Sequence, residues 1–577
     1  MLQALERVAG SVSGVHIAAV VALALLVTSC SSGTQADAEP TSGQPTPGPE
    51  LVSEATAEVS VSSVPANTLT AAVEVTATAP VTASVEFRGD VSGEVSSAET
   101  PQDRHRIPVV GMHPMSTYEL VVTVTDEQGL PVSTEGAVQT FETGALPEGL
   151  PGFEVEVIDP SRVAPGHTMF SFLDFAGQSG TSEDPGAQLG TIMVVDASGE
   201  PVWYFQDDET LADARQLDNG NFLFEVGDVA AYEVNLFGEV VKEWAGALAG
   251  GSDRVGDSDQ AEGVGDNARP AAVQVDVESM HHEHGVLSNG NHLGLSTELR
   301  TVSGFAEPLC GEDPATFDGT YHLIGDVVYE FDPTTGEVLE EFNLFDYFDP
   351  TVSINPDSIC DGPAWVFPNN VYRQLDPEAQ DWTHANSVVL DEERNALIVS
   401  IRLLDEVLAI RYADDDDGPK GEVLWRLGEH GDLEMLGDGS WTYHQHAAEV
   451  WPDGSLLIYD NGNGRPSTES SPPGSRVVRY ELDDDDMTIR QLWELDSIVD
   501  GEVAYAGFVG DADLLGNGNV LISDGGLLGE PNGVSAQITE VVPELPEGGE
   551  VVWQLQILGG GNWGSYRAER ISELYPT

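Results

Sequence analysis

The sequence predicts an all-β chain, a six-bladed β-propeller preceded by an immunoglobulin-like or fibronectin-like β-sandwich. Three observations predict it. A Gly-Glu pair followed by valine-rich residues and an aromatic recurs at Gly199-Glu200, Gly238-Glu239, Gly336-Glu337, Gly421-Glu422 and Gly549-Glu550, with a degenerate copy at Thr488–Trp493. Strand pairs turning on Asn-Gly or Asp-Gly follow most copies, at Asn219-Gly220, Asn289-Gly290, Asp453-Gly454 and Asn517-Gly518, and these dipeptides favour the turns of twisted antiparallel strands. Few stretches carry helical periodicity. Six copies over about 430 residues leave about 70 per unit, enough for a four-stranded blade and its loops.

Composition narrows the function classes. Asp+Glu number 99 against 22 Lys+Arg, a formal net charge of −77, and only Lys242 and Lys420 are lysines. A polyanion of this size repels phosphate backbones, so nucleic-acid binding is excluded as a main role. Acid spread along the whole chain self-repels in dilute salt, so a halophilic source is expected.

In chain order, residues 1–30 read as an export signal: an apolar run from Ile17 to Val27 closes on Val27-Thr28-Ser29-Cys30. That ending is lipobox-like, with Cys30 the expected lipidation site; an uncleaved anchor is the alternative. Either places the rest of the chain outside the cytoplasm, as an exported protein at the cell surface or in the periplasm whose one membrane contact is N-terminal. Residues 31–50, rich in Ser, Thr, Gly and Pro, form the expected tether. Residues 51–146 alternate apolar and polar, as in Tyr118–Val124, and form the expected sandwich. Residues 147–577 are the propeller. Cys310 and Cys360 remain as an even pair in an oxidising compartment, where a disulfide is plausible.

The chemistry-bearing residues stand where strand pairs begin. Histidine enters three of them, at Met280-His281-His282-Glu283-His284, at Asp381-Trp382-Thr383-His384-Ala385-Asn386, and at Tyr443-His444-Gln445-His446. His282 lies eight residues before Gly290, and His446 eight before Gly454. The two are expected at one structural position on different blades. Arg402 ends the strand returning from the His384 hairpin. Three histidines and an arginine round a channel make an anion site, because guanidinium presents a planar fork of donors and a neutral imidazole can act as nucleophile.

These stretches, with Ser400-Ile401-Arg402, Trp425-Arg426-Leu427-Gly428, Asp460-Asn461-Gly462 and Tyr566-Arg567-Ala568, resemble the bacterial arylsulfate sulfotransferases. The resemblance implies a six-bladed propeller that moves a sulfuryl group from an aryl sulfate to a phenol through a sulfated histidine, with no nucleotide donor and no cofactor. It assigns His446 as nucleophile and His282, His384 and Arg402 to the sulfuryl oxygens, with His281, Asn386 and Arg567 beside the substrate. Glu283 departs from the Asp common in the family. The family's disulfide near its nucleophile has no counterpart, since Cys310 and Cys360 lie elsewhere.

Two rivals remain at this level. His281, His282, Glu283 and His284 offer metal ligands, but neighbours on a strand point to opposite faces and cannot all reach one ion, so no metal is expected. A surface-anchored propeller that only binds a ligand or partner would also suit the tether and sandwich. The oligomeric state stays open.

Overall fold

A computed structural model describes residues 53–97, 100–175, 190–251, 269–353, 376, 378–466, 474–529, 533–558 and 563–575. The expected export signal, Cys30, the tether and Cys360 lie outside the described residues.

Residues 56–142 form seven strands built on one long member, Asn67–Arg88. Its first half pairs with Thr56–Val64 and Gln102–Val109, its second with Ser92–Ser96 and Thr117–Asp126. Alternate residues point inward, so Val73, Val75, Val85 and Phe87 share one core with Val59 and Leu120, the pattern a pleat with one wet face requires. Asn67 Nδ2 donates to Tyr204 O at 2.9 Å, and Arg106 pairs with Glu239 at 2.8 Å, which holds this unit against the first two blades.

Six sheets of at least four antiparallel strands follow, the blades of a propeller. Blade 2 is Leu211–Gln216, Phe222–Val226, Ala230–Val234 and Val240–Ala245. Blade 3 runs His281–Val286, His292–Ser303, Thr320–Phe331 and Val338–Asn343. Blade 4 runs Ala385–Asp391, Ala396–Ile401, Glu406–Arg411 and Val423–Leu427. Blade 5 runs His446–Val450, Leu456–Asp460, Arg476–Asp483 and Thr488–Asp496.

Both flanks of the repeat array close the ring. Ala568–Ile571 pairs with His167–Asp174 and supplies the inner strand of blade 1, outside which lie Gly190–Val195 and Pro201–Asp207. Gly152–Val157 pairs with Gly549–Leu558 and adds an outer strand to blade 6, whose inner strand is Asp511–Leu514. The inner strands of successive blades touch from blade 1 to blade 6, and Val520–Gly529, the second strand of blade 6, touches the inner strand of blade 1, which removes the exposed edges that an open sheet would leave.

Each Gly-Glu cue marks the entry to the fourth strand of its blade, counted from the centre, and its aromatic explains why. Trp203, Trp244, Trp425, Trp493 and Trp553 are fully buried. Each donates its indole N–H across the blade boundary, to Leu236 O, Pro333 O, Asp484 Oδ1, Gly548 O and Ala197 O at 2.7–3.1 Å. The last of these ties blade 6 to blade 1. A buried indole needs such a partner. Blade 3 carries Phe342 instead, and there Lys420 of blade 4 sits with its Nζ 4.9 Å from the ring centroid.

The Asn-Gly and Asp-Gly pairs lie between first and second strands. Gly290 and Gly454 hold φ of 84° and 80°, a conformation that costs a side-chain-bearing residue about 1 kcal/mol or more.

Candidate active site

The inner strands of blades 3, 4 and 5 begin with the three histidine stretches, so the ring itself brings them together. The residue types at these starts do not favour a regular ladder. Register slips between His281 and His284, between Ala385 and Ser387, and between His446 and Ala448. His282, His384 and Ala447 hold φ of 60°, 52° and 46°. Bulges of this kind re-aim side chains, and strained backbone persists where its surroundings fix it. The eight-residue count does not become one structural position: His446 pairs with Tyr459 inside the ladder, whereas His282 stands in the bulge.

His282 and His384 nonetheless meet, ring centroids 4.8 Å apart and nearly perpendicular. Tyr566 lies 5.9 Å from His282. His446 is near enough to His384, His282 and Arg402 for their charges to act on one another. All three histidines are buried, and burial is the first cause that draws their pKa down: His384 to about 3, His282 and His446 well below the ordinary value, with neighbouring positive charge adding to it. The rings are therefore neutral.

Each ring is oriented by a particular partner. His446 Nδ1 lies 2.6 Å from Asn461 Oδ1, while Asn461 Nδ2 donates to Ala506 O and Val509 O at 2.7 and 2.8 Å. Two carbonyls on the amide nitrogen fix which end of Asn461 faces the ring. Asn461 can then only accept, so His446 carries its proton on Nδ1 and its lone pair on Nε2. His384 Nδ1 lies 2.6 Å from Asp381 Oδ2. Burial pushes the Asp381 carboxyl well up and draws His384 down. His281 Nδ1 lies 2.7 Å from His282 Nδ1.

The two arginines differ. Arg402 donates from Nη2 to Gly507 O at 3.1 Å, its buried Nε has no partner, and among the described residues it forms no ion pair. Arg567 precedes the closing strand and donates from Nη1 to Asp213 and Glu283 at 2.7 and 2.6 Å, and from Nη2 to Asn386 O at 2.9 Å. Its charge is already satisfied. Glu283 is thus a structural anion shared by Arg567 and Arg215. Asn386 is fully buried, donates from Nδ2 to Gln445 O, and leaves its Oδ1 without a partner.

The neighbouring histidines are drawn elsewhere. His284 bonds His292 at 2.7 Å beside Trp244 and Phe331, and His444 bonds Asp405 at 2.8 Å. Cys310 is disulfide-bonded.

Sequence reasoning missed Asp326, which receives Thr383 Oγ1–H and Ala385 N–H at 2.5 Å each and lies beside His281. Its signal was present: one acid in the apolar run Leu323-Ile324-Gly325-Asp326-Val327-Val328. It also missed a buried acid group round the paired arginines. Arg215 and Arg567 face Asp213, Glu283, Asp511 and Glu569. Two guanidiniums cannot neutralise four carboxylates. Burial accordingly pushes Glu569 up from 4.5 to about 8 and Asp511 up from 3.8 to about 6.

A carboxyl whose folded pKa is raised binds its proton more tightly when folded. Its stabilisation is present at low pH and is lost as pH rises toward the folded value. Wild-type stability should therefore fall between pH 4.5 and 8 on account of Glu569, by about 1.4 kcal/mol per pH unit at most. Glu569→Gln should remove that slope, so denaturant midpoints of variant and wild type diverge as pH rises. Parallel midpoints would count against this account.

A family model described as arylsulfotransferase (ASST) matches residues 181–567, more than half of the chain. The chain is similar to the arylsulfate sulfotransferase AssT of Escherichia coli O6:H1 (strain CFT073), 28% identical over 145 residues that cover 20% of this chain and 23% of that protein. It is similar to the AssT of Lelliottia amnigena, 25% identical over 217 residues that cover 31% and 36%. The matches thus span well under half the length of these relatives. Among solved structures, a hypothetical selenium-binding protein of Sulfolobus tokodaii aligns over 80% of this chain and 91% of its own, with 10% identity and a TM-score of 0.35.

Proposed function

The chain belongs to the arylsulfotransferase family, and from that membership we propose that it transfers a sulfuryl group from an aryl sulfate to a phenol through a covalent intermediate on His446. The observation that carries the reading is the bond from His446 Nδ1 to an asparagine that can only accept. It leaves a lone pair on Nε2 of a neutral ring, the form a nucleophilic histidine needs.

The donor sulfate sits with its oxygens toward Arg402, whose Nε has no other partner. His446 Nε2 attacks sulfur. An N–S bond forms, the S–O bond to the aryl oxygen breaks, and the phenolate leaves with the electron pair. The sulfated ring now carries a positive charge, and its Nδ1–H stays on Asn461 Oδ1. The acceptor phenol attacks the same sulfur and loses its proton, and the N–S electron pair returns to His446. Arg402 faces the charge that grows on the sulfuryl oxygens, with His384 beside it. Donors fixed before the reaction stabilise such charge without reorganisation.

Donor and acceptor are assigned as small aryl sulfates and phenols on the strength of the family. Export, an N-terminal lipid anchor at Cys30 and the sandwich as a spacer are part of the same proposal, supported by the sequence.

The test is to incubate the protein in molar salt with nitrophenyl sulfate and no acceptor. A stoichiometric burst of nitrophenol is expected, together with an added SO₃ on the peptide containing His446. Addition of phenol then restarts release. Absence of the burst and of the adduct would overturn the reading.

A further inference from the structure

We propose that His281, placed beside Asp326, is a positioning residue that makes His282 the base for the acceptor phenol. The inference rests on the sulfuryl-transfer reading and concerns its proton, which that reading leaves without an owner.

The geometry is a chain of three groups. Asp326 Oδ1 lies 3.3 Å from His281 Nε2, and no hydrogen bond is formed by that nitrogen, so the contact is one of charge. His281 Nδ1 lies 2.7 Å from His282 Nδ1. A carboxylate facing Nε2 draws the His281 proton to that nitrogen and leaves a lone pair on Nδ1. The facing Nδ1 of His282 must then be the donor, since two lone pairs at this distance repel. His282 is left with its lone pair on Nε2. His281 is 1% exposed, so solvent does not set its tautomer.

Asp326 is itself held on its other oxygen by Thr383 Oγ1–H and Ala385 N–H. These are the residues flanking His384, so one carboxylate couples the blade 3 pair to the blade 4 histidine. The groups facing the pair are His384 and Tyr566 at 4.8 and 5.9 Å, with His446, Arg567 and Asp381 beyond.

The proton balance is simple. As the acceptor oxygen bonds to sulfur, its O–H proton passes to His282 Nε2. The Nδ1 proton of His282 shifts to His281 Nδ1, and the positive charge comes to rest beside the Asp326 carboxylate. The N–S bond breaks with its electron pair returning to His446. In the next turnover the path runs backward and the proton leaves on the departing phenolate. Asp326 is neither protonated nor consumed.

The experiment separates the two half-reactions in His281→Gln. Glutamine can accept from His282 Nδ1–H but cannot carry a proton onward. The nitrophenol burst should be slowed far less than the acceptor half, because nitrophenolate leaves unaided. Transfer from sulfated protein to phenol should fall by about 10²-fold, and recover as more acidic phenols are supplied. Equal slowing of both halves, or an unchanged acceptor half, would overturn the proposal. If His281→Gln does not fold, the wild-type protein answers the question. A solvent deuterium isotope effect is expected on the acceptor half and none on the burst, and the reverse overturns the role. A wild-type protein with no burst would remove the sulfuryl-transfer reading itself; a burst with equal slowing removes only His281.

Discussion

His446→Gln is expected to lose both the burst and steady-state transfer by at least about 10⁴-fold, as removal of a nucleophile does elsewhere. Its unfolding midpoint should change little, because glutamine keeps a donor for Asn461 Oδ1. The companion variant is more informative. Asn461→Leu leaves His446 in place but removes the acceptor on Nδ1. The ring is then free to carry its proton on Nε2, where it blocks attack on sulfur. Turnover should fall by up to about 10⁴-fold, the loss seen where a catalytic histidine is left in the wrong tautomer. Rapid-quench measurement of the burst checks this. Asn461→Leu with a wild-type burst would show that the asparagine supports packing alone. The variant also frees Ala506 O and Val509 O, so its stability has to be measured beside its rate.

Arg402→Gln is the second large effect. Arg402 is the site guanidinium without an ion pair among the described residues, whereas Arg215 and Arg567 are neutralised by Asp213 and Glu283. The anion therefore depends on this one charge. Loss of about 10³-fold in kcat/KM is expected, the size of effect seen when a fixed donor to a developing oxyanion is removed. Most of it should appear in kcat if the contact strengthens as the S–O bond breaks. Arg567→Gln, by contrast, should act mainly on stability, since it leaves the buried acids Asp213 and Glu283 to share Arg215 alone. If Arg402→Gln changes only KM, the residue binds the ground state and does not favour the transition state.

Much of the site was legible because its residues mark strand starts. The stretches holding His282, His384 and His446 each precede an alternating apolar run and a tight turn, which identifies them as equivalent points on repeated blades. His281 and His282 could not be told apart by counting, because the bulge between His281 and His284 adds a residue to the register. Arg567 carries the right charge and motif, yet its partners Asp213 and Glu283 come from blades 2 and 3, far away in sequence. Asp326 lay in an apolar strand with no local reason to face a histidine.

The blade is written in local pattern: period-two alternation, the Asn-Gly or Asp-Gly turn, and the Gly-Glu cue that sets a tryptophan on each fourth strand but one. These are properties of neighbouring residues, so they can be read in order along the chain. How the ring closes is visible in the folded chain alone, through Gly152–Val157 outside blade 6 and Ala568–Ile571 inside blade 1. The folded chain also decides which nitrogen of His446 bears the lone pair and which arginine keeps an unmatched charge. The physical reason is that tautomer, pKa and ion pairing depend on burial and on partners across blade boundaries, and those partners meet only once the ring is shut.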